Sequence, residues 1–516
     1  MKINGIIAEY NPFHNGHLYH LEESRRLTGA DYTVVVMSGN FVQRGAPALA
    51  DKHVRARMAL LGGADLVLEL PVLYAAASSE YFAAGAVALL DKLGAVTHLC
   101  FGSECGDTAL LRQIAAFLAR EPEEYREELK RLLKQGLSFP TARAGALAAR
   151  SGWEDRGRCE KAQNGCGDAQ NCREEDRSAG KGLPSFRLPR SEECRRILSS
   201  PNNILGIDYM KEMIRRKSAM IPVTVKRVGA GYHDELPPDA SLPTSLPESM
   251  PLKSPEPALS SSLQDSSARE NPKSARPSAL HTYAEPLAAQ PAQPAGFPGA
   301  AGISAPGMTA SALAIRQALR EGRTPDSLRP FMPDDTVELL ADCLARDASP
   351  DPGAFSGILY YKLLLEKNRG YEQYLDVSED LSNRIRNNLH AFTDFGSFCS
   401  LLKTKEITHT RISRCLLHIL LDIKKEDMQL GRALDYVPYA RVLGFRRTAE
   451  PLLNAVKSNS AVPFITRMAD VKRSLPEEAD RLLKLDIFAG EIYRGVICGG
   501  RMRPTLAEFS IPVIVL

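Results

Sequence analysis

Three histidines stand close together near the start of the chain, in Tyr10-Asn11-Pro12-Phe13-His14-Asn15-Gly16-His17-Leu18-Tyr19-His20. His14 and His17 are three apart, a spacing that puts both rings on one side of a first helical turn. Two imidazoles there can donate to the oxygens of an α-phosphate as charge builds during in-line displacement, and one such donor is worth about 3 kcal/mol of barrier. His20 continues the same face one turn later. Gly16 has no Cβ, so a flat base or a phosphate can approach the backbone closely. A bare H-x-x-H pair is more often a surface or metal-binding pattern. The surroundings are what favour phosphate chemistry.

Those surroundings are a strand, a turn and a helix start. Ile3 to Ala8 is a short apolar run that reads as a buried parallel strand, Asn11-Pro12 signals a turn, and Leu18 to Leu27 has helical periodicity. In that order they bring free N–H groups and the positive end of a helix dipole to one point. Further strands are predicted at Tyr32 to Met37, Asp65 to Leu70, His98 to Phe101 and Ile221 to Val228. Helices are expected over Lys52 to Leu61, Ser78 to Leu93 and Thr108 to Gln135, with another capped by Asn202 or Asn203 and running to Arg216. This alternation predicts an α/β fold with a doubly wound parallel sheet. Ligands of such sheets sit outside the carboxyl ends of the strands. The loop Ser38 to Gly45 should therefore lie beside the histidine turn, with Arg44 and Lys52 as phosphate neighbours. Arg227, near the end of its strand, can fork onto triphosphate oxygens.

At 516 residues the chain should hold more than one domain. Residues 1–235 are expected to form the sheet domain, with a flexible insert over 154–196 rich in Gly, Arg, Glu and Cys. Residues 236–308 are Pro, Ser and Ala with few large apolar side chains, too little to offset the entropy of ordering them, and are expected to be disordered. Residues 309–516 are expected to be a mainly α-helical domain. A net charge of +3 excludes a globally basic RNA-coating protein, so any RNA site must be a local patch. The absence of a long uncharged apolar stretch argues against a membrane partner. The ten cysteines include no C-x-x-C, which suits reduced thiols and a cytoplasmic location. Cys159, Cys166, Cys172 and Cys194 cluster without the spacing of a known zinc knuckle or ribbon, and no metal site is assigned.

The helical half offers one local patch. Lys403, Lys405, Arg411 and Arg414 join a loop to a helix whose other face is Ile412, Cys415, Leu416, Ile419 and Leu420. One side packs and the other is basic. With Arg384, Arg386, Arg432, Arg441, Arg446 and Arg447 this can form a surface that positions RNA through its phosphates. Tyr436, Tyr439 and Phe445 are candidates to stack on an unpaired base.

The register Tyr10-Asn-Pro-Phe-His-Asn-Gly-His17 resembles the H-x-G-H signature of the nucleotidyltransferase superfamily, whose members attack the α-phosphate of ATP and release pyrophosphate. The longer string Glu9 to His20 resembles the bacterial tRNA(Met) cytidine acetate ligase family. Met37-Ser-Gly-Asn-Phe-Val-Gln-Arg-Gly45, Gly63-Ala-Asp-Leu-Val-Leu-Glu-Leu-Pro71, Phe101-Gly-Ser-Glu104, Ser200-Pro-Asn-Asn-Ile-Leu-Gly206 and Leu402 to Arg411 extend the match. The resemblance covers most of the chain outside the two inserts. It implies a nucleotidyltransferase-like (Rossmann-like) N-terminal domain that activates acetate as acetyl-adenylate and acetylates the wobble cytidine of elongator tRNA(Met). It implies ATP contacts at Ile7, Ala8, Glu9, Tyr10, Asn11, Pro12, Phe13, His14, Asn15, Gly16, His17, Leu18, Tyr19 and His20, and at Gly102, Asn202 and Arg227. His14 and His17 would be catalytic, and Mg2+ would accompany the triphosphate. The family's Ser-Ala-Thr-Ser-Ile-Arg element corresponds to Ser311-Ala-Leu-Ala-Ile-Arg316. Arg316 is kept as a phosphate contact, while Leu313 and Ala314 replace two hydroxyl-bearing positions.

Two other readings use the same residues. A small-molecule adenylyltransferase would use the histidine turn without needing the basic helical half. A non-catalytic, ATP-responsive RNA-binding protein would keep both halves but release no pyrophosphate. Acetate dependence and tRNA binding separate the three. The sequence does not fix acid selectivity or oligomeric state.

Overall fold

A computed structural model of the chain describes residues 1–149, 191–227, 308–346, 350–468, 471, 475–497 and 507–516. The chain divides into two compact units, one of Met1–Pro237 with Pro306–Leu516 and one of Pro238–Ala305. The second unit, most of the expected 154–196 insert, and Cys159, Cys166 and Cys172 lie outside the described residues.

In the first unit the strands β1 (Ile3–Ala8), β2 (Tyr32–Ser38), β5 (Leu66–Leu70), β6 (His98–Ser103) and β7 (Ile221–Lys226) lie parallel in one sheet. A two-stranded ribbon, β3 (Phe41–Val42) with β4 (Ala46–Pro47), stands apart from it. With β8 (Ala440–Phe445) and β10 (Ile514–Val515) from the far end of the chain, the sheet order is β10-β8-β5-β2-β1-β6-β7. From β1 the chain adds β2 and β5 on one side, then crosses to place β6 on the other. The strand order therefore reverses at β1 and β6, and the crevice outside their carboxyl ends is where such a sheet takes a ligand.

The Val34-Val35-Val36-Met37 run forms a central strand because both faces of the sheet are covered, so every side chain is buried. Alternate residues enter two cores. Ile3, Ile7, Val34, Val36, Leu66 and Leu68 pack on one face, against α4 (Ser79–Lys92) among others. Ile6, Val35, Met37 and Val67 pack on the other, against α1 (Asn15–Thr28) and α2 (Lys52–Leu61). The small side chains of α4 (Ala83, Ala84, Ala86 and Ala88, all buried) let that helix lie close to the strands. The stretch expected to be one helix from Thr108 is two, α5 (Thr108–Arg120) and α6 (Glu123–Lys134), broken where Glu121 takes φ +45° before Pro122. Helix α7 (Ser191–Leu198) begins inside the stretch expected to be insert and buries Cys194 completely. That thiol is a core residue. Helix α8 (Pro201–Arg216) follows.

The chain beyond residue 308 is helical but does not stand apart from the sheet. Strand β8 (Ala440–Phe445) pairs antiparallel with β5, and β9 (Phe464–Ile465) and β10 (Ile514–Val515) pair with β8. Around them are α9 (Ala312–Arg320), α10 (Asp334–Arg346), α11 (Ser356–Glu366), α12 (Glu379–Asn388), α13 (Phe395–Leu402), α14 (His409–Leu420), α15 (Lys425–Ala433), α16 (Glu450–Asn459) and α17 (Glu477–Ile497). The loop after β2 touches α14 directly. Gly45 has φ +75°, a Cβ there would lie 2.5 Å from the Arg414 nitrogen, and the Ser413 hydroxyl donates to its carbonyl at 2.8 Å. Only glycine allows that approach. Among the described residues no helix is long and apolar enough to cross a membrane.

Candidate active site

The turn after β1 is held from several sides. Arg55 of α2, with no exposed surface, donates from Nη1 to the carbonyls of Glu9 (2.6 Å) and Ser38 (3.1 Å), from Nη2 to that of Gly39, and from Nε to that of Ala50 (2.9 Å). It thereby ties the carboxyl ends of β1 and β2 together. The Glu9 carboxylate accepts the Gln43 N–H at 2.8 Å and the Asn11 Oδ1 accepts that of Leu49 at 2.7 Å. Arg316 Nη1 donates to the Asn11 carbonyl at 2.5 Å, and the Asn15 amide donates to the carbonyls of Met308 and Pro330 at 3.2 and 2.9 Å. Tyr10 sits at φ +47° with its ring edge on Phe13 and His17, both at 4.9 Å. The Asn11–Pro12 bond is cis.

The histidines themselves start α1. His14 is the N-cap, and its Nδ1 accepts the Gly16 N–H at 3.0 Å; His17 Nδ1 accepts the His14 N–H at 3.3 Å. The rings stack 3.8 Å apart at 31°. A Cβ on Gly16 would meet His14 Cε1 at 2.9 Å, so the glycine makes room for that ring. An imidazole whose Nδ1 accepts carries its proton on Nε2. Both rings therefore offer an Nε2–H as donor.

All three rings are held neutral. Burial, then the charges of Arg227 and Arg316, lower the His14 pKa to about 3. Burial, then His14, His20 and Arg227, bring His17 well below its usual value. Burial, then Arg227, lower His20 to about 4, and its Nε2 is buried without a hydrogen-bond partner. Positive charge in the site comes from the arginines. Arg227 is exposed just past β7, its N–H on the Ser103 carbonyl at 3.0 Å and its Cγ 3.7 Å from where a Gly102 Cβ would be. The structure thus gathers Ile7 to His20, Gly102, Arg227 and Arg316 at one sheet end. Asn202 is tied to the end of β6 through Glu104, with its amide nitrogen on that carboxylate at 2.7 Å.

Other sequence expectations land elsewhere. Neither Asn202 nor Asn203 caps α8. The N-cap position is Ser200, and the Glu104 carboxylate takes the N–H groups of the first turn. Lys52 is 1% exposed, with its Nζ 2.7 Å from Glu69 Oε1 and 2.5 Å from Glu508 Oε1, so it presents no surface to a phosphate. Arg441 is buried in the same cluster, between Glu69 at 2.9 Å and Glu508 at 2.5 Å. Arg44 is exposed on its loop. Ala314 is buried, with its N–H capped by the Ser311 hydroxyl at 3.1 Å, and Leu313 is half-buried. Lys403, Lys405 and Arg411 are exposed around the start of α14. Arg414 turns inward toward Asp376, its side chain 12% exposed. Arg446 is held by the Leu60 carbonyl, and Tyr439 is buried on Asp486 at 2.7 Å, so neither is open to RNA. Among the described residues no group of three His, Cys, Asp or Glu side chains is placed to hold a metal ion.

A doubly wound sheet with a histidine-capped helix at its switch point defines a nucleotidyl transferase. The model of the family described as HIGH Nucleotidyl Transferase matches residues 1–269 and 300–503. A tRNA(Met) cytidine acetate ligase of Acetivibrio thermocellus is 33% identical over 523 residues, covering 100% of both chains. One of Thermoanaerobacter sp. is 35% identical over 494 residues, covering 96% of this chain and 95% of its own. The crystal structure of Thermotoga maritima TmcAL bound with alpha-thio ATP superposes with a TM-score of 0.75 at 27% identity, over 100% of both chains. The chain belongs to the tRNA(Met) cytidine acetate ligase family.

Proposed function

We propose that this protein activates acetate with ATP and transfers the acetyl group to N4 of the wobble cytidine of elongator tRNA(Met), acting in the cytoplasm. The observation that carries the reading is the pair of imidazoles at the start of α1, each accepting a backbone N–H on Nδ1, in a chain of this family. A carboxylate oxygen of acetate attacks the α-phosphorus of ATP, the bond to the bridging oxygen breaks, and pyrophosphate leaves. His14 and His17 donate to the α-phosphate oxygens as their charge grows, and neither needs to transfer a proton. Arg227 and Arg316 bring the positive charge the rings lack.

Bound Mg2+ would neutralise the departing pyrophosphate. Such an ion would be carried by the phosphate oxygens, since no cluster among the described residues is placed to cage it. The cytidine amine then attacks the acetyl carbonyl carbon, loses a proton and releases AMP. The exposed Lys403, Lys405 and Arg411 offer phosphate contacts for the tRNA.

Nucleoside analysis of tRNA after incubation with ATP and labelled acetate tests this reading. N4-acetylcytidine carrying the label is the expected product. Label-free tRNA, with AMP joined instead to a phosphorylated metabolite, would turn the reading to a small-molecule adenylyltransferase. ATP and tRNA binding with no pyrophosphate released would turn it to a non-catalytic RNA-binding protein.

A further inference from the structure

The loop after β6 and the first turn of α8 hold each other by side chains from both. Asn203 is buried; its Oδ1 accepts the N–H groups of Glu104 and Cys105 at 3.0 and 3.1 Å, and its Nδ2 donates to the Ile197 carbonyl at 3.3 Å. Glu104 reciprocates. Its Oε2 accepts the Asn203 N–H at 2.9 Å, and its Oε1 accepts the Asn202 side-chain amide at 2.7 Å and the Asn202 N–H at 3.3 Å.

That contact fixes which way the Asn202 amide points. A carboxylate accepts hydrogen bonds and donates none, so only the NH2 end of the amide can face it. The other end, Oδ1, makes no hydrogen bond among the described residues. Asn202 is half-buried in the first turn of α8, held on Glu104, which directly follows β6 and stands two residues past Gly102, and the end of its amide that faces away from Glu104 is an acceptor.

We propose that Glu104 is a positioning residue that fixes the polarity of Asn202, so that the site selects a nucleotide bearing a donor at that point, the exocyclic amine of adenine. Guanine carries a carbonyl oxygen at the same ring position, and two acceptors facing one another leave both unpaired. Glu104 acts through Asn202. The inference rests on the ATP reading and deepens it.

The test is equilibrium binding and competition with ATP, GTP and purine riboside triphosphate, which lacks the amine, on the full chain. Wild type is expected to prefer ATP over both competitors. Glu104→Gln frees the Asn202 amide to turn and should lower the ATP-to-GTP preference by about tenfold, the worth of one hydrogen bond. The double variant Glu104→Gln, Asn202→Asp restores an acceptor, with the glutamine donating to one aspartate oxygen and the other facing the nucleotide, and should recover the preference. Asn202→Ala leaves the Glu104 contact with the Asn203 backbone and should remove the selectivity even if Glu104→Gln folds poorly. Equal weakening of ATP and GTP in Glu104→Gln, with no rescue in the double variant, would overturn the role of Glu104 alone. A wild-type chain that binds no nucleotide would overturn the ATP reading itself.

Discussion

His17 caps the backbone of His14, and His14 in turn caps the helix start at Gly16. His14 Nδ1 closes on the Gly16 N–H at 3.0 Å, and His17 Nδ1 closes on the N–H of His14 at 3.3 Å, with the rings 3.8 Å apart. Capping of a helix start is usually the work of Ser, Thr, Asp or Asn. Imidazoles doing it have both Nδ1 atoms occupied and both protons displaced to Nε2. Long-range 15N correlation spectra of the free protein at neutral pH should show both rings as the Nε2–H tautomer. An Nδ1–H signature for either ring would contradict the donor geometry.

Arg55 is expected to matter as much for the site as for the fold. Its guanidinium satisfies four carbonyls on three segments. Arg55→Met leaves those carbonyls buried and unpaired, at a cost of at least ~3 kcal/mol. Arg55→Lys keeps the charge with three donors and should lose less stability while raising KM for ATP, because the ends of β1 and β2 are held less firmly. Urea denaturation and steady-state kinetics measure the two effects. Unchanged KM with lowered stability would confine Arg55 to the core.

Substitution of Lys403, Lys405 or Arg411 by alanine should weaken tRNA binding and flatten its dependence on salt by about one unit of slope each. Arg414→Ala should instead lower stability, since its side chain lies against Asp376. Binding titrations at several salt concentrations separate these outcomes. Equal losses at all four positions would place Arg414 on the surface after all.

Acid should destabilise the site before it unfolds the rest. His14 and His20 titrate at about 3 and about 4 when folded, below the value of 6.5 for a free ring. Between those limits the unfolded chain binds more protons, so stability falls as pH drops below 6.5 and this contribution is exhausted near 3. Denaturation midpoints measured across that range should fall, and His20→Gln should flatten part of the decline. An identical slope in that variant would mean that His20 is not held neutral.

The strands and helices around the histidine turn were legible because their runs are uninterrupted: Val34 to Met37 for a doubly covered strand, Lys52 to Leu61 for a helix. Strand β8 was not. Arg441 and Gly444 break its apolar run, and Arg441 is tolerated there only because Glu69 and Glu508 arrive from distant parts of the chain. Lys52 shows the same limit from the other side. A lysine at a helix start near a phosphate loop reads alike whether it meets a nucleotide or a buried carboxylate, and its partner Glu508 lies 456 positions away. Arg55, three residues after Lys52, is not among the site residues expected from the sequence. Its small neighbours Ala56 and Ala59, both fully buried, were the available hint that this side of the helix goes inward.

Acetate-dependent exchange of labelled pyrophosphate into ATP tests the histidine pair most directly, because it reports the first chemical step without tRNA. The wild-type chain should catalyse the exchange only when acetate is present. His17→Ala and His14→Ala should each slow it by about a hundredfold or more while far-ultraviolet circular dichroism stays unchanged. Exchange at near wild-type rate in the double variant would contradict the account.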